Sequence, residues 1–75
     1  MTLRDGKPGQ VVRIESIQEF PLKERLMTMG FIEGTRVNVL RTAPMGDPIV
    51  YGLRGYNVAM RLDDASHISV SLVNE

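Results

Sequence analysis

The sequence predicts a mainly β fold, in which five short strands form a small barrel and one short α-helix lies between the first two strands. Two patterns support it: apolar and polar residues alternate in most segments, and Gly or Pro residues separate those segments at regular intervals. A third pattern, helical spacing of apolar residues, occurs in one segment only. With 75 residues, the chain (1–75) has room for a single domain with one core.

Each of the five predicted strands carries one apolar face and one polar face. The first runs from Val11 to Ile17 and the second from Arg36 to Arg41. The strand residues predicted to face the core are Val12, Ile14, Val37, Val39, Ile49, Tyr51, Leu53, Val58, Met60, Leu62, Ile68, Val70 and Leu72. This alternation is typical of a half-buried antiparallel sheet. Because a small twisted sheet hides its edges best by curling, we expect an SH3-like barrel, with an OB-like barrel as the alternative.

The helical segment follows the first strand. Pro21 suits the first helical position, and Leu22, Leu26 and Met29 recur on one helix face. Gly30 suits the left-handed residue that follows the last turn. A helix of about nine residues is too short to be stable alone, so we expect it to pack on the sheet. The methionines predicted to fill gaps in the core are Met27, Met29 and Met60.

Glycine and proline residues predict the connections between the elements. Gly34 permits a tight turn into the second strand. Two prolines bracket a Gly-Asp pair at residues 44–48, which predicts a rigid hairpin loop. The Gly-Leu-Arg-Gly sequence at residues 52–55 indicates a strand irregularity or bulge.

Composition excludes several classes of protein. Nine basic and nine acidic residues give a net charge of zero, which leaves little surplus charge for neutralising phosphates. The absence of cysteine excludes disulfides, thiolate metal sites and a thiol nucleophile. No apolar stretch approaches the ~20 residues that span a bilayer, and the N-terminus lacks the apolar core of a signal peptide. We therefore expect a cytoplasmic protein that is not inserted in a membrane.

Residues with catalytic potential are few. His67 is the only histidine, so no catalytic dyad or triad centred on histidine and cysteine can form. Asp63 and Asp64 are adjacent and are predicted to cap a short turn through Ala65 and Ser66. We expect neither an enzyme nor a cofactor. His67 with Asp63 or Asp64 are the candidate ligands if the chain binds Fe²⁺ or another divalent transition metal; otherwise His67 is a solvated residue at the start of a strand.

Four arginines form a local excess of positive charge. They are Arg36, Arg41, Arg54 and Arg61, in a span whose single acidic residue is Asp47. Small barrels bind RNA through such faces when aromatic residues stack on the bases. The aromatic residues nearby are Tyr51, predicted to face inward, and Tyr56. Scattered arginines on a solvated sheet face are the alternative, and we expect no nucleic-acid partner.

Several motifs occur in a specific order. Residues 25–34 read R-L-M-T-M-G-F-I-E-G, and residues 43–49 read A-P-M-G-D-P-I. R-G-Y at 54–56, A-M-R at 59–61 and A-x-x-I-x-V at 65–70 follow. Together, from about Gly9 to Val70, these motifs resemble the FeoA family, the small cytosolic component of bacterial ferrous iron uptake.

The resemblance implies an SH3-like barrel that acts as an adaptor or regulator and not as a catalyst. The implied partner is FeoB, a membrane protein with a cytosolic GTP-binding domain. The same fold occurs as the C-terminal domain of DtxR-type metal-dependent repressors. That kinship and the family's association with transition metals leave an alternative function open, in which the chain itself binds or senses a divalent metal. The resemblance transfers no metal-ligand residue.

The predicted partner-binding surface consists of the helix end and the proline-flanked loop, with Met45, Gly46 and Asp47 as the predicted partner-binding residues. Met45 is expected either to anchor a partner or to cover the mouth of the barrel. Val73, on an outward edge, raises self-association as a further possibility. The residues expected to hold the fold are Leu22, Leu26, Met29, Gly30, Gly34, Val37, Val39, Gly55, Ile68 and Val70.

Overall fold

A computed structural model describes residues 1–73 of the chain. A short 3-10 helix, Leu3–Asp5, precedes the regular elements, which are β1 (Val11–Ile17), α1 (Lys23–Met29), β2 (Arg36–Thr42), β3 (Ile49–Leu53), β4 (Tyr56–Met60), α2 (Leu62–Ala65) and β5 (Ile68–Leu72). The five strands form one sheet in the order β4-β3-β2-β1-β5, and every neighbouring pair is antiparallel. The predicted mainly β fold, with a helix between the first two strands, is confirmed.

The sheet curls around one apolar core. Its buried residues are Leu3, Val12, Ile14, Leu26, Phe31, Val37, Val39, Ile49, Tyr51, Leu53, Met60, Ala65, Ile68 and Val70. All five strands and α1 contribute, as their alternating or helical patterns require. The Tyr51 hydroxyl, carried into this core, donates a hydrogen bond to the carbonyl oxygen of Leu3 at 3.2 Å. Burying the ring therefore leaves its polar atom satisfied.

Helix α1 begins two residues later than predicted. Pro21 lies in a turn, where the Lys23 N–H donates to the Phe20 carbonyl, so the helix has seven residues and not about nine. Gly30 ends it in the left-handed conformation (φ 114°). The prediction that Met27 is in the core is wrong, because it lies outside the narrow apolar stripe of so short a helix and is 38% exposed.

The predicted irregularity at residues 52–55 is also wrong. Arg54 and Gly55 both have positive φ and form a two-residue hairpin turn between β3 and β4, as the right-handed twist of the strands favours. The nearby irregularity lies in β2 instead, where Leu40 is the extra residue between Val39 and Arg41. A Cβ on Gly52 would lie 3.2 Å from Leu40 Cδ1, so the glycine makes room for the bulged side chain.

Leu62 does not belong to a strand. Strand β4 ends at Met60, and Leu62 is the first residue of α2, with Arg61 before it in an extended conformation. The predicted capping of this turn by Asp63 or Asp64 is wrong as well, because neither side chain makes a cap hydrogen bond. Instead, the backbone N–H of Leu62 donates to the distant Asp47 carboxylate.

The two ends of the sheet differ. The outer edge of β5 is covered by the N-terminus: the Val70 N–H donates to the Met1 carbonyl at 2.9 Å, and Thr2 forms an antiparallel bridge with Ser69. Strand β4, at the other end, has β3 as its one neighbour within residues 1–73. No helix in the described part of the chain is both long and apolar enough to cross a membrane.

Candidate interaction site

The loop between β2 and β3, residues 43–48, is held in a defined conformation by hydrogen bonds within the chain. We call it the Met45 loop. Its ends meet where the Ala43 N–H donates to the Pro48 carbonyl at 2.9 Å, and its tip is closed by the Gly46 N–H, which donates to the Ala43 carbonyl at 2.7 Å. Gly46 takes a positive φ of 87°, which a glycine adopts without steric cost. These two hydrogen bonds and the two prolines restrict the conformations open to the loop.

Asp47 ties the Met45 loop to the segment where β4 gives way to α2. Its Oδ1 accepts the Leu62 N–H at 3.0 Å, and its Oδ2 accepts the Arg61 Nε–H at 3.3 Å. The side chain is 30% exposed and thus partly withdrawn from solvent. The sequence predicted Asp47 as a partner contact, but both of its carboxylate oxygens are engaged within the chain. Its role in this structure is to fix the loop and to cap α2.

Met45 stands at the tip of this fixed loop with 92% of its surface exposed. The alternative expectation, that it covers the mouth of the barrel, is wrong, because a side chain covering the core would be largely buried. No other large apolar residue among residues 1–73 is as exposed. The loop therefore presents one apolar side chain to the solvent on a preformed support.

The candidate metal ligands lie around the start of β5. The His67 ring stacks on Phe20, with centroids 4.2 Å apart, and its Nδ1 lies 2.9 Å from the Asp63 carbonyl oxygen. Because a carbonyl oxygen can only accept, Nδ1 is the donor in this hydrogen bond. Asp63 and Asp64 lie in the first turn of α2. Within residues 1–73, no three His, Cys, Asp or Glu side chains converge as a metal site would require.

The four arginines noted in the sequence are all exposed, but within residues 1–73 no pair of exposed aromatic rings lies among them. Tyr51 is fully buried and therefore has no ring face to offer a base. Tyr56, beside the β3–β4 turn, is 40% exposed. The arrangement does not assemble the paired aromatic and basic groups that an RNA-binding surface requires.

Titratable groups with displaced pKa values lie away from the Met45 loop. A hydrogen bond from the Thr2 backbone N–H lowers the pKa of Asp5, and burial raises the pKa of the Tyr51 hydroxyl. The Asp5 carboxylate ties down the start of the 3-10 helix, and the Tyr51 hydroxyl is bonded inside the core. Both have structural explanations.

The contact that sequence reasoning missed is the one between Asp47 and the start of α2. The two are fifteen residues apart along the chain, so no local pattern connects them. In the sequence, an Asp beside a proline predicts a turn. The same carboxylate can cap a helix only because the fold brings α2 next to it. The motif A-P-M-G-D-P-I marks the position of Asp47 in the sequence but not its contact with α2.

Fold and surface together define a small SH3-like β-barrel domain whose most distinctive feature is a rigid apolar loop. The family model described as the FeoA domain matches residues 1–72, and the chain belongs to the FeoA family. The resemblance seen in the sequence motifs is thereby confirmed.

Known proteins with similar sequence or structure carry the same family description. A fusion of Fe(2+) transport protein A with the Fe(2+) transporter FeoB, from Porphyromonas gingivalis, is 36% identical over 72 residues, covering 96% of this chain. The chain spans 8% of the length of that fusion protein. The solution structure of the FeoA protein of Chlorobium tepidum is similar with a TM-score of 0.92 and 35% identity, covering 99% of this chain and 71% of the other.

A crystal structure of Stenotrophomonas maltophilia FeoA in complex with zinc is also similar. Its TM-score is 0.85 at 25% identity, covering 95% of this chain and 89% of the other. That protein is described as a prokaryotic SH3 domain protein and as a candidate activating factor of bacterial ferrous iron transport. The SH3-like character of the fold predicted from the sequence is confirmed by this likeness.

Proposed function

We propose that the chain is a non-enzymatic accessory protein of bacterial ferrous iron uptake that acts in the cytoplasm. In this role it docks, through the Met45 loop, on the cytosolic GTP-binding domain of a FeoB-type transporter. Family membership and the fusion of FeoA with FeoB in one relative support the pairing. Two domains fused in one polypeptide meet at a high effective concentration, which favours a weak functional contact between them.

The observation that carries the proposal is the 92% exposure of Met45 on a loop fixed by hydrogen bonds. Burying a methionine side chain in a partner contributes about 1.5–3 kcal/mol. The thioether side chain is flexible and polarisable, so it adapts to pockets of different shape. Because the loop backbone is already ordered, docking loses little conformational entropy there. A single preformed apolar anchor suits a regulatory contact that forms and dissociates.

Substitution of Met45 tests this proposal. We expect Met45→Ser to raise the dissociation constant for the isolated GTP-binding domain about tenfold, which corresponds to about 1.4 kcal/mol of lost burial. Met45→Leu, which keeps an apolar side chain of similar volume, should bind like the unchanged protein. Met27→Ser, on the exposed side of α1, is the matched control and should also bind normally.

Isothermal titration calorimetry measures the dissociation constants of the unchanged protein and the three variants, and melting temperatures establish that all variants are folded. Equal dissociation constants for Met45→Ser and the unchanged protein would exclude the loop as the docking surface. Normal binding by Met45→Ser together with a loss caused by Met27→Ser would place the contact on the helix instead.

A further inference from the structure

The outer edge of β4 has no neighbouring strand in the described part of the chain. β4 (Tyr56–Met60) is joined to β3 by a two-residue turn, so Leu53 and Tyr56 form the closing hydrogen-bonded pair. Hydrogen-bonded and non-hydrogen-bonded pairs alternate along an antiparallel hairpin. Asn57 and Ala59 therefore belong to non-hydrogen-bonded pairs with β3, and their backbone N–H and C=O groups point away from it. Both residues are exposed, and in the described sheet no strand lies beyond them. We call this row of groups the β4 edge.

The β4 edge lacks the usual devices that block strand addition. Natural edge strands are protected by lysine or other charges, proline, a bulge or a covering segment. The β4 sequence Y-N-V-A-M has no charge and no proline, and its register with β3 is continuous from residue 56 to residue 60. The opposite edge, on β5, is covered by Met1 and Thr2. Within residues 1–73, one end of the sheet is therefore closed by the chain itself, and the other is open.

One arginine flanks the β4 edge at each end. Arg54 precedes the strand in the hairpin turn, and Arg61 follows it directly. The Arg61 side chain is 73% exposed and lies 3.3 Å from Asp47, an exposed ion pair that contributes little and can rearrange. At about 3.3 Å per residue, the two arginines are roughly 20 Å apart along the strand. An extended peptide with acidic residues near both ends and an uncharged centre complements this pattern.

We propose that the β4 edge binds an extended acidic polypeptide segment as a sixth strand. Backbone hydrogen bonds form at Asn57 and Ala59, and carboxylates of the segment lie beside Arg54 and Arg61. Backbone pairing supplies the affinity and the flanking charges select the sequence, as in other cases of strand addition. This surface meets the Met45 loop at Arg61, which pairs with Asp47, but the proposal does not depend on the function proposed above.

A synthetic nonapeptide, acetyl-Asp-Glu-Val-Thr-Val-Thr-Val-Glu-Asp-amide, tests the proposal with the isotope-labelled full chain. We expect its addition to shift the amide resonances of Asn57 and Ala59 and to slow their hydrogen exchange about tenfold or more. A peptide with lysine at the four acidic positions should bind about tenfold more weakly, and added salt should reduce that difference. A peptide N-methylated at alternate residues, on the edge that pairs, should not bind.

Two substitutions provide the protein-side test. Ala59→Pro removes the outward N–H of the edge and leaves the hydrogen bonds to β3 in place. Proline is tolerated at such an outward-facing edge position, and we expect this substitution to abolish peptide binding. Arg54→Gln should weaken binding severalfold, whereas Arg25→Gln, an exposed arginine on α1, should not. If Ala59→Pro does not fold, the N-methylated peptide makes the same distinction.

Three outcomes would overturn the proposal. The first is the absence of shifts at Asn57 and Ala59 with peptide at millimolar concentration. The second is equal binding of the acidic and lysine peptides, which would remove the charge selection. The third is protection of the β4 edge that increases with protein concentration alone, which would identify a second copy of the chain as the occupant.

Discussion

Replacing Asp47 with alanine removes the one carboxylate that joins the Met45 loop to α2. Loss of a helix cap lowers the free energy of unfolding by about 0.5–2 kcal/mol. The bond from the Leu62 N–H is also a hydrogen bond to a charged group, a class that contributes about 1.5–3 kcal/mol. The exposed pair with Arg61 adds about 0–1 kcal/mol. Because these contributions overlap at one side chain, we expect Asp47→Ala to lower the free energy of unfolding by about 2 kcal/mol.

Thermal unfolding followed by circular dichroism measures this loss. In a domain of this size about 1 kcal/mol corresponds to about 4–8 °C, so the melting temperature should fall by about 8–16 °C. Asp47→Asn keeps an oxygen acceptor for the Leu62 N–H and should lose about half as much. Met45→Ala, two residues away but free of such contacts, should leave the melting temperature unchanged. An unaltered melting temperature in Asp47→Ala would refute the assignment of Asp47 as the cap of α2.

Further predictions concern the core and its turns. Leu26→Ala should cost about 2–5 kcal/mol in urea unfolding, since it opens a cavity where α1 meets the sheet; an unchanged midpoint would contradict the position of the core. Gly30→Ala should cost about 1–2 kcal/mol in the same assay, because Gly30 has φ 114° and a Cβ would lie 2.8 Å from Arg54 Cδ; an equal or higher stability would show that this backbone is not strained by a side chain. Burial raises the pKa of Tyr51, so its contribution to the free energy of unfolding is fully present below the unfolded pKa of about 10 and is lost as the pH rises above that value. A Tyr56→Phe variant leaves Tyr51 as the one tyrosine whose ionisation is observed. Phenolate absorbance should then appear together with unfolding, and its appearance in a folded protein would disprove the burial argument.

Regular alternation made the strands predictable. In β1 and β2 the apolar residues that alternate in the sequence are those that the structure buries, because one face of each strand packs on the core. The FeoA motifs were equally visible, since they combine turn residues with core positions at fixed spacing. Sequence reasoning could also find the exposed loop, because Pro44 and Pro48 restrict the backbone around it.

The remaining features depend on contacts between distant residues. Leu62 continues an apolar alternation after Met60, and only the Asp47 carboxylate beside it shows why the backbone turns into α2 there. Met27 is apolar within a helix, but seven residues bury only a narrow stripe. The cover that Met1 provides for β5 arises from the return of the N-terminus to the sheet. Local propensity does not encode any of these three.

The most direct test of the proposed docking is an amide chemical-shift titration of the labelled chain with the cytosolic GTP-binding domain of a FeoB-type transporter. We predict that the largest shifts fall in the Met45 loop, residues 43–48, and at the start of α2, which Asp47 connects to it. Shifts centred on another face, or no shifts in the loop at saturating concentrations of the domain, would contradict it.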